Sequence, residues 1–484
     1  MAICFLTDSV AASADCAAAR FARLRGARQV HCEDLDSLPG QLSQRSMIAI
    51  SASRLRELSG RHRSHLANLV GEGATLYVRG VAQSCATLDL MPFASVELAI
   101  APEHRAVCCR FTASRMLPAV LAGEEMVGDL FDAPGAERLN PAIEELLTVR
   151  HVDGVERAAI FALRYGSGCV IYDLHTQDDT GADASIVARL ARREVLHRDI
   201  GALVAANRAA GMEPAELPPF NLTIDDRPVN FDHFNVAPVS ALLRHIDHLC
   251  PGTHTDFAWT PRHTSPCRGY LEAMKEFSTG FVWHGLYRHV DHRLISHPAA
   301  ELTEGTRMIR QIERRFGIRF QPIMIFPFER SAPKQFPLLV QAGFLAVVEQ
   351  PRYPSCSDPN LPRYLGDSLP SRVDATSDLT VLYRYPAASL TRERMLAMAA
   401  LGLPIIAVAH PDEVGLKRLS RFWDRGGDVS HFDEILKFAS SKGLPPLSLE
   451  DIASDVRRTQ PANDHLTQVM RAAGEPCSTT PQRR

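Results

Sequence analysis

The sequence predicts an α/β protein of two domains. An N-terminal α/β domain with an added β-meander spans residues 1–178, and a distorted (β/α) barrel of about seven units spans 219–457. Three observations predict this. Short apolar runs alternate with amphipathic runs along most of the chain, the rhythm of strands alternating with helices. The rhythm changes at MEPAELPPF (212–220), whose three prolines read as a linker. A length of 484 residues also exceeds what one hydrophobic core usually serves.

In the first domain, AICFL (2–6), MIAISA (47–52) and ATLYVRG (74–80) are short apolar runs compatible with buried strands. Between the last two, SRLRELSGRHRSHLANLV carries Leu55, Leu58, Leu66 and Leu69 on roughly one helical face. SVELAIAP and RAVCCRF read as further strands. AAIFALRYGSGCVIYDL reads as a hairpin turning at Gly166, Ser167 and Gly168. The polar stretch HTQDDTGAD (175–183) then reads as a solvated loop. Residues 179–218 hold a helical stretch (184–211) that Gly211 would stop, and then the linker.

From Phe220 onward, strand-like and helix-like runs alternate: FNLTID, APVSALLRHIDHL, DFAWT, RGYLEAMKEF, GFVWH, AAELTEGTRMIRQIERRF, QPIMIF, KQFPLLVQAGF, LAVVEQ, LTVLYRY, RERMLAMAALG and PIIAVAH. Repeated βα units argue for parallel strands, and their number suits a single barrel. PRYPSCSDPNLPRYLGDSLPSR (351–372) is too rich in proline for an element and reads as an inserted loop. The composition of the tail, 458–484, predicts partial disorder.

Bulk composition narrows the function. A net charge of −3 and the lack of a basic tract with interleaved aromatics give no sign of a nucleic-acid partner. No apolar run is long enough to span a bilayer. Asp8 and Asp15 interrupt the apolar N-terminal stretch, so no export signal is expected there. Eleven scattered cysteines without a C-x-x-C pair suit reduced thiols, and the expected location is cytoplasmic. The oligomeric state is left open.

A parallel barrel carries its function at the C-terminal ends of its strands. The polar residues there are Asp225 and Asp226 after the first strand, His284 after the third, Arg330 beyond the fourth and His410 after the last. Carboxylates and imidazoles suit a divalent cofactor ion, most fittingly zinc, with about three protein ligands and one open position. A second carboxylate then remains to accept a proton, and a separate histidine to donate one. Trp259 would lie at the same mouth, either as a packed core ring or as a wall for a sugar.

Four of these pieces resemble one family. "LTIDD" (222–226) looks like the T-x-D-D stretch of the polysaccharide deacetylases, carbohydrate esterase family 4, within the wider NodB-homology superfamily. "WHGLYRH" (283–289) resembles the family's histidine motif, and "VAHP" (408–411) its closing histidine motif. The run from Glu301 to Val347 matches its helix, Gly, strand, Pro and "GF" rhythm. The resemblance implies a metal-dependent hydrolase of C–N amide bonds acting on an N-acetylated sugar or glycan. It makes Asp225 the base and His410 the acid. Asp226, His284 and a following histidine become the metal ligands.

His284 and His289 are five apart where the family's pair is usually four apart. His289 and His292 are therefore alternatives, or Arg288 stands in place of the second ligand. Arg330, in the altered stretch FPFER, is the candidate for orienting the base. Trp259, Arg288 and Arg330 are the candidate substrate contacts. The first domain resembles in outline the flavodoxin-like fold of amidotransferase-type domains. No Cys/His/Glu set reads as catalytic there, so a structural, binding or oligomerisation role is expected of it.

Overall fold

The computed structural model describes residues 2–6, 28–32, 46–80, 87–94, 97–101, 105–132, 134–137, 143–175, 193–209, 211, 217–225, 237–260, 271–272, 274–285, 298–326, 335–349, 371–374, 377–409 and 430–459. The chain divides into two compact units, 1–216 and 217–484.

The first unit holds β1 (Ala2–Leu6), β2 (Arg28–Cys32), β3 (Ser46–Ser51), β4 (Thr75–Arg79), β5 (Thr87–Asp89), β6 (Glu97–Ala101), β7 (Arg105–Phe111), β8 (Glu125–Asp132), β9 (Gly135–Ala136), β10 (Ile143–His151), β11 (Glu156–Tyr165) and β12 (Gly168–Asp173). Its main sheet runs β2-β1-β3-β4-β12-β11-β10-β7-β8. The strands β2 to β12 on this path pair in parallel. From β12 to β8 the pairing is antiparallel, which is the expected meander. The helix Arg193–Ala209 lies against β3, β4 and β12. The amphipathic stretch 53–70 is not one helix. It breaks into Ala52–Glu57 and Gly60–Gly71, because Ser59 leaves helical geometry and its hydroxyl accepts the His62 N–H to cap the second helix.

At the C-terminal end of β12, Asp173 is buried and draws the chain inward. Its carboxylate accepts from Tyr77 Oη (2.7 Å) and the His175 backbone N–H (3.1 Å), and contacts His175 Nδ1 at 2.8 Å. His175 is thereby buried, a correction to the solvated loop expected from residue 175 onward. Residues 176–183 lie outside the described residues.

The second unit holds β13 (Phe220–Ile224), β14 (Thr255–Trp259), β15 (Thr279–His284), β16 (Phe320–Ile325), β17 (Ala346–Glu349), β18 (Arg372–Val373), β19 (Thr380–Tyr383), β20 (Tyr385–Pro386) and β21 (Ile405–Ala409). Their order is β18-β19-β17-β16-β15-β14-β13-β21-β20. All pairings are parallel except that of β18 with β19. Only Arg384 separates β19 from β20 in the chain, so the two ends of the eight-stranded parallel sheet meet there and the sheet nearly closes. This is compatible with the expected (β/α) barrel.

Strand alternation and register fix which residues face inward. Gln321 of β16 bonds Asp256 of β14, with β15 between them. Side chains two strands apart meet in this way on the concave side of a curved sheet. The phase of Asp256 and Gln321 therefore marks the interior. Gly280 of β15 pairs with Asp256, and a methyl group there would strike both the Gln321 amide and the Asp256 carboxylate. Above this polar floor the inward phase is apolar: Ala258, Val282, Ile323, Ala346, Leu382 and Ile406 share one cluster with Leu449, Ile452, Ala453 and Val456 of the helix Leu449–Thr459. That helix fills the N-terminal end of the barrel. The opposite phase faces outward, where the rings of Trp259, Phe281 and Phe320 pack edge-on or tilted with centroids 5.5–5.8 Å apart.

Two stability outcomes are expected. Gly280→Ala should destabilise the barrel by about 1–3 kcal/mol through overpacking, measured by denaturant unfolding. Burial alone would raise the Asp173 carboxyl, but the charge and hydrogen bond of His175, the charge of Arg79 and the Tyr77 hydroxyl outweigh it and hold it below 3.8. A carboxyl lowered on folding adds stability above its unfolded value, and that stability is lost as pH falls through the folded value. Acid unfolding of the parent chain should thus steepen below about pH 3.8, and Asp173→Asn should flatten that limb.

Candidate active site

The C-terminal rim of the barrel is set by where its inward-facing strands end. On β13, Asn221, Thr223 and Asp225 share the inward phase, and the Asp225 backbone N–H still bonds the Ala409 carbonyl at 3.0 Å. Asp225 is therefore held in the ladder as its side chain enters the barrel. It is 3% exposed. On β15, His284 has the inward phase of Gly280 and Val282 and is 2% exposed. Gly285 follows with φ 65°, the left-handed backbone that turns the chain off the strand. The Thr260 hydroxyl, one residue past β14, donates to the His284 carbonyl at 2.7 Å and ties these two strand ends together.

The partner of Asp225 is Arg384. Its Nη1 donates to Asp225 Oδ1 at 2.6 Å and its Nη2 to Asp225 Oδ2, a two-pronged buried ion pair. Arg384 is 1% exposed, and its backbone N–H bonds the Glu349 carbonyl at 2.9 Å. Its position explains its reach. It sits between β19 and β20, where the sheet closes, and points inward beside β21, the neighbour of β13. The planar fork of a guanidinium matches both oxygens of a carboxylate and fixes its plane.

Sequence reasoning missed Arg384, because LYRY reads as a strand run. The available signal was its phase: Thr380, Leu382 and Arg384 alternate, so the last inward position of that run is charged. The structure brings Asp225 and His284 to the same rim of one barrel. Trp259 is not at that mouth. It is 2% exposed in the outward aromatic layer, so the packed reading of this ring is the one observed and the sugar-wall reading is corrected. Asp226, Arg288, His289, His292, Arg330 and His410 lie outside the described residues.

The donor chemistry can be tested against a divalent ion. Both Asp225 oxygens are engaged by the Arg384 guanidinium, and each keeps a further lone pair. His284 brings an imidazole, the nitrogen donor that zinc takes. These residue types fit the ion. Among the described residues, no group of three or more His, Cys, Asp or Glu could hold a metal ion.

Neither a protein-family model nor a curated protein matches the sequence. Solved structures do resemble the chain. The chitin deacetylase of the fungal pathogen Colletotrichum lindemuthianum is 14% identical with a TM-score of 0.30, over 52% of this chain and 92% of that one. The Xyl-CE4 domain of a multidomain xylanase from the hindgut metagenome of Trinervitermes trinervoides is 13% identical with a TM-score of 0.30, over 50% and 91%. A 4-alpha-glucanotransferase from Thermococcus litoralis is 14% identical with a TM-score of 0.34, over 49% and 40%. At these scores the likenesses assign no activity to this chain. Among the described residues, no helix is long and apolar enough to cross a membrane.

Removing one partner of a buried ion pair leaves the other charge uncompensated. Arg384→Ala should cost about 3–5 kcal/mol in unfolding free energy. The double variant Asp225→Asn with Arg384→Ala should cost less than the two single variants together, as a thermodynamic cycle would measure.

Proposed function

We propose that the barrel is a metal-dependent hydrolase of C–N amide bonds that deacetylates an N-acetylated sugar or a sugar-containing precursor. The observation that carries this reading is the inward-facing pair at the rim: Asp225, gripped by Arg384, and His284. Asp226, His284 and His289, with His292 as the alternative, would hold a divalent ion, zinc by donor type. Such an ion, when bound, supplies a Lewis acid and makes water easier to deprotonate.

The residues of the chain do the rest. Asp225 accepts a proton from the attacking water, with its plane fixed by Arg384 in the role that the sequence had given to Arg330. His410 gives a proton to the leaving nitrogen. Arg288 and Arg330 remain candidate contacts for the substrate. A cytoplasmic enzyme of this kind would act on a soluble sugar, a nucleotide sugar or a lipid-linked precursor. The first unit we read as flavodoxin-like. The order β2-β1-β3-β4-β12 of its parallel strands supports that, being the 2-1-3-4-5 order of such sheets. Its role is structural, binding or oligomerising.

A second reading is a non-catalytic barrel that binds a glycan or a protein partner. The five-residue spacing of His284 and His289 favours it. Activity and metal content separate the two. Acetate release from a panel of soluble N-acetylated sugars should fall on the order of 10²–10⁴-fold in Asp225→Asn, the range of general-base catalysis, while the metal content of the purified protein stays. Asp226→Ala should lose the metal. A parent chain without stoichiometric zinc, nickel, cobalt or manganese would support the non-catalytic reading.

A further inference from the structure

The barrel floor carries a polar cluster that the proposed chemistry does not use. Asp256 is fully buried. Its carboxylate accepts from Asn221 Nδ2 (2.9 Å), the Leu449 backbone N–H (3.0 Å) and the Gln321 amide, and His254 Nε2 lies 3.1 Å away. Leu449 opens the helix Leu449–Thr459, and the next N–H, of Glu450, donates to Gln321 Oε1 at 2.9 Å. Ser448 caps the same end, its hydroxyl accepting the Asp451 N–H at 3.1 Å. Two orphan donors of a helix from the far end of the chain are thus satisfied from inside the barrel. The charged groups around the cluster are His254, from the entry to β14, Asp451, from the helix, and the Arg319–Glu450 ion pair.

We propose that the helix Leu449–Thr459 is a proton-sensitive latch on the barrel floor, docked through Asp256 and eased when the His254 ring is neutral. Docking buries the Asp256 carboxylate, and the side chain within hydrogen-bond reach of it that can carry a positive charge, among the described residues, is the His254 ring. Burial opposes that charge, but the hydrogen bond and charge of Asp256, with the charge of Asp451, outweigh it and hold His254 above 6.5. Asp451 travels with the helix, so undocking removes part of this support and returns Asp256 to water. A group whose pKa is higher in the docked state favours docking below that pKa, and the contribution fades as pH rises through it. Asn221 at the floor and Asp225 at the rim are four residues apart on one strand, about 13 Å at the rise of a β-strand.

Hydrogen exchange of the full chain, read by mass spectrometry and corrected for intrinsic rates, tests this without any substrate. Between about pH 6 and about pH 8.5, the helix amides should lose protection by up to roughly tenfold per unit of pKa difference between docked and undocked states, while the core strands of the first unit do not change. His254→Gln should remove this pH response. Asp451→Asn, on the exposed side of the helix, should shrink it. Equal protection at both pH values in the parent chain would overturn the latch. So would a response that survives His254→Gln, or one undiminished in Asp451→Asn, because nothing that moves with the helix would then be linked to the proton.

Discussion

The buried ion pair between Asp225 and Arg384 joins the first strand of the barrel to the place where the barrel closes. A nearly closed sheet has little freedom at its seam. Here the seam is one residue long, and that residue reaches inward to grip a carboxylate from 159 residues earlier. Such a pair rarely repays its own desolvation. It does specify geometry, because the guanidinium fork admits one plane for the carboxylate. The orientation of the candidate base and the closure of the barrel thus rest on one contact.

The interior divides into three levels that place its polar groups where they can be satisfied. At the floor, Asn221, Asp256 and Gln321 find partners in one another and in the entering helix. The middle level is apolar and continuous with that helix. At the rim, Asp225 and Arg384 satisfy each other, and His284 shares the inward phase. Polar residues at the bottom of a parallel barrel serve stability, and those at the top are free to serve chemistry. This division separates the network around Asp256 from the proposed site although both lie on the inward phase.

Much of this order was legible in the sequence because strand ends are marked by composition. FNLTID, GFVWH and PIIAVAH each pass from apolar to ionisable at one point, and the described strands end there or one residue earlier. Phase tells which residues share a face, but only closure tells which face is inside. Trp259 was therefore assigned to the mouth when its partners are Phe281 and Phe320 on the outer side. For the same reason the sequence does not mark Arg384, nor Asp256 and Gln321 within DFAWT and QPIMIF, as interior residues. In the first unit, β2 and β10 carry polar residues within short runs and offer no clean alternation, so tertiary pairing rather than local pattern makes them strands.

The proposed chemistry needs one geometry: Asp225 held by Arg384 at the mouth, with a His284 ring nitrogen open to a metal ion. Diffraction from crystals of the full chain grown with zinc, with the anomalous signal of the metal recorded, measures this directly. The expected result is one zinc peak at bonding distance, about 2.0–2.1 Å, from a His284 ring nitrogen, with both Asp225 oxygens still on Arg384. A zinc peak away from the rim, or Asp225 swung off Arg384 to become a ligand itself, would contradict it.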